Sequence, residues 1–330
     1  MSAEERAGAG NACASAGTRQ VSEKAYAKIN LSLDITGRRD DGYHLVSMVM
    51  QTVTLCDDIT VTARDDGKIV MTGLDLRPCA GKQAVNPPSG SGQKTSALAG
   101  LLTFGPENLC VRAAEELRRE CGISSGLDIY LEKRIPVAAG LAGGSADAAA
   151  VLRAVRKLFS IEVSDEDLRK LALPLGADIP YCITGGTALC QGIGEEITPL
   201  PAFGPCTVVL VKPVFPILTA EAYGDYDRIS VEQPERFNRP DNAALVQALK
   251  AKKDFSKSMG NVLRDVAALR HPEISLIEDE LISGGAFAAQ MSGSGPTVFG
   301  LFRSTEIAEE AAMSLAEKPG IESVTACETC

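Results

Sequence analysis

The stretch that most constrains this chain runs from Ile135 to Phe159. Gly140, Gly143 and Gly144 leave a length of backbone with no side chains in the way. The residues that follow, Ser145 to Phe159, are rich in Ala and Leu and contain neither Gly nor Pro, a composition that favours helix. A bare loop feeding a helix start presents free backbone N–H groups and a positive dipole end, which suits an anion, above all a phosphate. The plainer reading is a Gly-rich turn that merely starts a helix, and the loop alone leaves both open. Ser145 and Asp147 are both candidates to cap that helix. A carboxylate there would compete with a phosphate unless a metal sits between them.

At 330 residues the chain is too long for one ordinary core and suits two domains. A formal net charge of −10 argues against nucleic acid or an anionic membrane as the main partner. No apolar run approaches the roughly 20 residues of a membrane span. The first twenty residues have no apolar core, so they are expected to be a disordered tail rather than a secretory signal, and the protein is expected to be cytoplasmic. The ten cysteines lie scattered among apolar neighbours and read as reduced, buried thiols. Cys327 and Cys330 form one C-x-x-C, a weak metal signal without a second pair, and two histidines nearly exclude a His-based zinc site.

From its start the chain alternates cleanly: Ala27, Ile29, Leu31, Leu33 and Ile35 share one face, and Tyr26, Lys28, Asn30 and Ser32 the other. The pattern predicts a half-buried strand with a cation beside an amide on its polar face. Strand-like runs follow at 48–55, 59–63 and 68–72, which suggests an antiparallel sheet. Between about 78 and 104, Pro87-Pro88-Ser-Gly-Ser-Gly and its polar neighbours read as a flexible insertion. Its Ser-Gly-Ser-Gly-Gln-Lys-Thr lacks the P-loop spacing and a leading strand, so it reads as a loop. Helical spacing covers Asn108 to Glu120 and ends at Gly122. Ser164 with Asp167 is a capping-box start for a helix through Leu173. The second half opens with a strand at 207–212 and continues with helices near 220–227, 242–252, 262–269 and 274–282. Strands at 287–291 and 297–302 flank Ser292-Gly-Ser-Gly-Pro, and a helix (306–316) and a strand (321–326) close the chain.

Three separated pieces now fit one pattern. Pro136-Val-Ala-Ala-Gly-Leu-Ala-Gly-Gly-Ser-Ala resembles the P-x-x-x-G-L-x-x-x-S-A phosphate loop of the GHMP kinases, the family of galactokinase and of homoserine, mevalonate and phosphomevalonate kinases. Ala27-Lys-Ile-Asn-Leu and Met291-Ser-Gly-Ser-Gly-Pro-Thr-Val-Phe resemble the family's first and third motifs. Asp41-Gly-Tyr-His44, Gly176-Ala-Asp-Ile-Pro180 and Gln191-Gly-Ile-Gly-Glu195 narrow the match to the branch whose substrate is a cytidine diphosphate-linked methylerythritol. The resemblance spans roughly Ser22 to the C-terminus.

It implies an α+β, two-domain GHMP kinase fold. A ribosomal protein S5 domain 2-like N-terminal, ATP-binding domain would cover 21–200, and a ferredoxin-like C-terminal domain 201–330. The implied cofactors are ATP and Mg²⁺, and the protein is expected to be a monomer or a weak homodimer. ATP would lie on Pro136, Val137, Ala138, Ala139, Gly140, Leu141, Ala142, Gly143, Gly144, Ser145 and Ala146, with Asn108 and Leu109 on its adenine side. Asp178 would accept the proton of the substrate's 2-hydroxyl, and Lys28 would hold that hydroxyl and balance charge near the γ-phosphate. The plain alternatives are a helix cap for Asp178 and a solvated strand cation for Lys28. By the same resemblance Asn30 would orient substrate or phosphate, Tyr43 and Tyr223 would stack on the cytidine, and His44 would hydrogen-bond it, with Thr219 nearby. Ser145 and Asp147 are the candidate Mg²⁺ ligands.

Two departures stand out. The loop reads Gly-Leu-Ala-Gly-Gly-Ser-Ala where many relatives read Gly-Leu-Gly-Gly-Gly-Ser-Ser. Ala142 adds a methyl that matters if its position needs positive φ, and Ala146 lacks a hydroxyl that would meet phosphate or Mg²⁺. Activity is expected to survive, with ATP affinity the property affected. The competing readings are a homoserine or phosphomevalonate kinase and a non-catalytic ATP sensor of the same fold. The first would lack the Tyr43-His44 and Gly176-Ala-Asp-Ile-Pro pairing; the second would be expected to have lost Lys28 or Asp178.

Overall fold

The computed structural model describes residues 19–78, 102–202 and 204–330. The tail expected over 1–20 lies almost wholly, and the insertion expected about 78–104 largely, outside those residues.

In chain order the first half comprises β1 (Gln20–Arg38), β2 (His44–Arg64), β3 (Ile69–Asp75), α1 (Leu109–Glu120), β4 (Gly126–Lys133), α2 (Gly143–Leu158), α3 (Asp165–Ala172), α4 (Ile179–Thr184), β5 (Thr187–Gln191) and β6 (Glu196–Leu200). The second comprises β7 (Thr207–Pro213), α5 (Thr219–Glu232), α6 (Asn242–Lys250), β8 (Gly260–Asn261), α7 (Val262–Arg270), α8 (Glu273–Ser283), β9 (Ala288–Met291), β10 (Val298–Phe302), α9 (Thr305–Ala316) and β11 (Ile321–Glu328). The first sheet runs β3-β4-β2-β1-β8, and the β5–β6 hairpin pairs with the N-terminal half of β2. The second is a four-stranded antiparallel sheet, β11-β7-β10-β9. Numbered by appearance within that sheet, its order is fourth, first, third, second, the ferredoxin-like arrangement expected for this half.

β2 overturns one expectation. The runs at 48–55 and 59–63 are one unbroken strand, and Cys56-Asp57-Asp58, which looked like a gap between them, lies within it. Asp57 survives inside a strand because it is wholly buried and every lone pair it uses has a donor: the N–H groups of Arg134 and Ile135 and the ammonium of Lys133.

β1 overturns another. It is not half-buried, because its polar face is covered as well: Lys28, Asn30 and Ser32 are as inaccessible as the apolar residues between them. One face packs Ala27, Ile29 and Leu31 against Val208, Leu210, Phe299 and Leu301 of the second sheet. The other lies under two loops, with the Lys28 N–H donating to Leu141 O at 3.2 Å and the Asn30 N–H to Ser292 Oγ at 3.3 Å. Irregularities in the β1–β2 register between Tyr26 and Lys28, and again between Asn30 and Ser32, frame these two polar residues; such bulges re-aim side chains. α2 closes the first half by laying Ala148, Val151, Leu152 and Val155 onto Ile59, Val61 and Ile129. Its opposite end, the N-terminus, is left facing the cleft between the two halves.

Candidate active site

One cleft of about 1070 Å³ is lined by the polar face of β1, the loop from Pro136 to Ser145, the start of α1, the hairpin tip at Asp41–His44, the start of α4, the start of α5 and the loop at Gly293–Gly295. It brings together Lys28, Asn30, Tyr43, His44, Asn108, Leu109, the loop residues 136–145, Asp147, Asp178, Thr219 and Tyr223. Ala146 does not line it. That residue is buried in the apolar core behind α2, so a hydroxyl there would face the core rather than a phosphate.

The loop ends in an uncapped helix. Ala142 occupies the N-cap position of α2 with φ 56° and ψ 28°, and no side chain accepts from the first turn. The capping expected of Ser145 or Asp147 is therefore absent, since α2 begins at Gly143, ahead of both. The Ala146 N–H is the first to find an intrahelical acceptor, Ala142 O at 2.9 Å. The N–H groups of Gly143, Gly144 and Ser145 precede it and point out of the helix end. That is an anion cradle by construction, with the helix dipole behind it.

Two backbone positions of the loop give expected results. Ala142 holds a left-handed conformation that costs an L-residue about 1–2 kcal/mol. Ala142→Gly is therefore expected to stabilise the protein, by up to about 1 kcal/mol after the entropy cost of glycine, read as a rise in denaturation midpoint; a fall would contradict the strain. Gly140 has φ 75°, and a Cβ there would lie 2.1 Å from the carbonyl oxygen of Ser292, backbone against backbone. Gly140→Ala is expected to cost about 3 kcal/mol of stability, because the Ser292 loop must move to admit it. Unchanged thermal melting would contradict that contact.

Lys28 and Asp178 meet across the cleft, Nζ to Oδ2 at 3.9 Å. Lys28 is no solvated cation: it is 4% exposed, and its Nζ donates to Asn30 Oδ1 at 2.5 Å and to Gly140 O at 3.1 Å. Gly140 O is also met by the Ser292 hydroxyl at 3.0 Å, so the strand, the glycine loop and the Ser292 loop converge on one carbonyl. Asp178 is not a cap either. It stands at the N-cap position of α4 but makes no capping hydrogen bond, and its carboxylate is one-third exposed to the cleft.

At the other end of the cleft, His44 Nε2 lies 2.6 Å from Asp227 Oδ1, and its ring lies 4.8 Å from the ring of Tyr223. Asp227 is also held by Arg38 at 3.3 Å. Burial pushes the Tyr223 phenol up, so it stays protonated. Tyr43 is 59% exposed at the hairpin tip, a large ring left mostly uncovered. The Thr219 and Ser294 hydroxyls lie 3.0 Å apart. Asn108 caps α1, accepting from Cys110 N at 2.8 Å and donating to Thr103 O at 2.6 Å, so its side chain is committed and Leu109 supplies the apolar wall beside it.

Asp147 is buried and its Oδ2 accepts from Lys133 at 2.6 Å. Burial pushes its carboxyl well above the usual range, opposed by Lys133 and reinforced by Asp57. Among the described residues no group of three or more His, Cys, Asp or Glu side chains is arranged to hold a metal, and Cys327 and Cys330 are free thiols. Sequence reasoning missed Asp57, Lys133 and Asp227. Asp227 had a signal, since it follows Tyr223 by four residues on one helix and so shares its face.

The family descriptions GHMP kinases N terminal domain and GHMP kinases C terminal match residues 108–186 and 244–320. A 4-diphosphocytidyl-2-C-methyl-D-erythritol kinase of Clostridium kluyveri is 42% identical over 281 residues, covering 84% of this chain and 90% of that protein. The enzyme of the same name from Clostridium acetobutylicum is 41% identical over 290 residues, covering 87% and 92%. A crystal structure of 4-(cytidine 5'-diphospho)-2C-methyl-D-erythritol kinase superposes with a TM-score of 0.73 at 30% identity, covering 94% of this chain and 99% of that one. A homoserine kinase from Cytophaga hutchinsonii, at 17% identity and a TM-score of 0.69, shares the fold. Identity of this extent along nearly the whole chain, on a cleft built round an open glycine loop, shows that the chain belongs to the GHMP kinases, among the 4-diphosphocytidyl-2-C-methyl-D-erythritol kinases.

Proposed function

We propose that this chain transfers the γ-phosphoryl group of ATP to the 2-hydroxyl of 4-diphosphocytidyl-2-C-methyl-D-erythritol, a step of the non-mevalonate isoprenoid pathway. The observation that carries the reading is the Lys28–Asp178 pair. It opens onto the same cleft as the three free N–H groups of Gly143, Gly144 and Ser145, and Lys28 is bonded to the loop itself through Gly140 O.

Phosphoryl transfer asks a protein for positioning and charge stabilisation more than for covalent chemistry. In this reading the loop amides and the α2 dipole hold the nucleotide's phosphates. Asp178 accepts the proton of the attacking hydroxyl. Lys28, fixed by Asn30, places its Nζ beside the transferring group, which makes Asn30 a positioning residue. Mg²⁺ bound with ATP would neutralise phosphate charge. It fits this site only in company with the nucleotide, since no carboxylate cluster is arranged for it among the described residues. Ser145 is the candidate protein ligand, because Asp147 already serves Lys133. Tyr43 and Tyr223 would take the cytosine ring, with His44, held by Asp227, at its polar edge. No described helix is long and apolar enough to cross a membrane; we propose a cytoplasmic enzyme, working as a monomer or weak homodimer.

The test is ADP release in a coupled assay with ATP, Mg²⁺ and one of three alcohols: 4-diphosphocytidyl-2-C-methyl-D-erythritol, homoserine or phosphomevalonate. Turnover with the first alone is expected. Turnover with another alcohol alone would overturn the substrate, and ATP binding without any turnover would favour a sensor.

A further inference from the structure

At the floor of the cleft, under the phosphate loop, lies a group of charges that the proposed transfer does not use, with Lys133 and Asp147 in the cleft's lining. Asp57, in the middle of β2, accepts the N–H groups of Arg134 (2.5 Å) and Ile135 (2.8 Å) with Oδ1 and the Lys133 ammonium (2.5 Å) with Oδ2. Lys133, the last residue of β4, reaches on to Asp147 Oδ2 in the second turn of α2. All three side chains are buried. One ammonium thus joins the strand, the entry to the loop and the helix that leaves it. The fit to the loop is close, since a Cβ on Gly143 would lie 3.0 Å from Lys133 Nζ and 2.9 Å from Ile135 Cγ2.

The grouping is poor value as a source of stability. Burying two carboxylates and one ammonium costs desolvation that their attraction barely repays, and an apolar trio of like volume would pack as well. Asp147 Oδ1 is buried and accepts no hydrogen bond, so the Lys133 ammonium is the donor that its carboxyl group meets. Directional bonds do give what apolar packing does not, a fixed separation between the loop's two ends.

We propose that Lys133, clamped between Asp57 and Asp147, is the positioning residue of the phosphate loop. It sets the distance from Arg134–Ile135 to the first turn of α2, and with it the spacing of the N–H groups of Gly143, Gly144 and Ser145. The role rests on the reading of that loop as the ATP site. Removing the clamp loosens the cradle without touching Lys28, Asp178 or the alcohol's end of the cleft.

The experiment compares Lys133→Met, Asp147→Leu and Asp147→Asn with wild type, by calorimetric ATP binding and by steady-state kinetics, with a thermal melt for each. Lys133→Met and Asp147→Leu are expected to weaken ATP binding and raise KM for ATP about 10-fold or more, while kcat at saturating ATP and KM for the alcohol stay within about threefold. Asp147→Asn keeps an oxygen for the Lys133 ammonium and is expected to retain ATP affinity within about threefold of wild type. Wild-type ATP affinity in the folded Lys133→Met and Asp147→Leu variants would overturn the proposal. So would a loss confined to kcat, or an Asp147→Asn variant as weak as Asp147→Leu. A purely structural role would lower the melting temperature and leave KM alone. If Lys133→Met does not fold, the two Asp147 variants decide. A wild type that binds ATP but phosphorylates none of the three alcohols would refute the functional reading and leave this one standing.

Discussion

Replacing Asp178 by asparagine is expected to lower kcat about 10²- to 10⁴-fold, the range that a positioned general base supplies. Asparagine keeps the shape of the side chain and gives up its capacity to take a proton. The fold should not feel the change, because Asp178 makes no capping hydrogen bond and its charge partner, Lys28, stands at 3.9 Å. ATP affinity and melting temperature are therefore expected to stay near wild type, and steady-state kinetics with a thermal melt check both. A loss of only a few-fold would mean that Asp178 orients the hydroxyl and that the proton leaves by another route.

Lys28→Met is expected to act on both catalysis and stability. The ammonium is the donor to Asn30 Oδ1 and to Gly140 O, and only the second retains another donor, the Ser292 hydroxyl. Leaving a buried amide oxygen unpaired costs about 1–3 kcal/mol, which should appear as a lower melting temperature. Removing a preorganised positive charge from the transferring group should lower kcat about 10²- to 10³-fold. Arginine is not expected to rescue it, because its planar fork presents donors in a different geometry from the single ammonium that reaches Asn30 Oδ1 and Gly140 O at once. A variant that melts earlier yet keeps its kcat would reduce Lys28 to a buried structural cation.

Most elements were legible because local rules decide them. The alternation of Ala27 to Ile35 made β1 a strand, and Ser164 with Asp167 set the start of α3, where the serine hydroxyl accepts from Asp167 N. What sequence could not show was who covers whom. The polar face of β1 looks solvated until Gly140 and Ser292, far along the chain, close over Lys28 and Asn30. Asp57-Asp58 looked like a break in β2 because the partner that makes a buried aspartate tolerable, Lys133, is 76 residues away. The start of α2 was placed two residues late, since nothing local says that Gly143 and Gly144 are helical. Ala142 accepts a left-handed backbone that glycine would hold at no steric cost, a strain visible only in φ. The cleft's lining was easier to read than its supports: Lys28, Asp178 and the glycine loop, which share one cleft, follow motifs, whereas Asp57, Lys133 and Asp227 hold other side chains and carry none.

This cleft is expected to move the γ-phosphoryl of ATP onto one hydroxyl of a cytidylyl alcohol. The most direct measurement is phosphorus and carbon NMR of the product formed from ATP and 4-diphosphocytidyl-2-C-methyl-D-erythritol. One new phosphomonoester signal is expected, coupled to C2 and to its methyl carbon, with the cytidine diphosphate resonances preserved. A monoester with no coupling to the methyl carbon, which places it on O1 or O3, or inorganic phosphate as the sole new signal, would contradict that transfer.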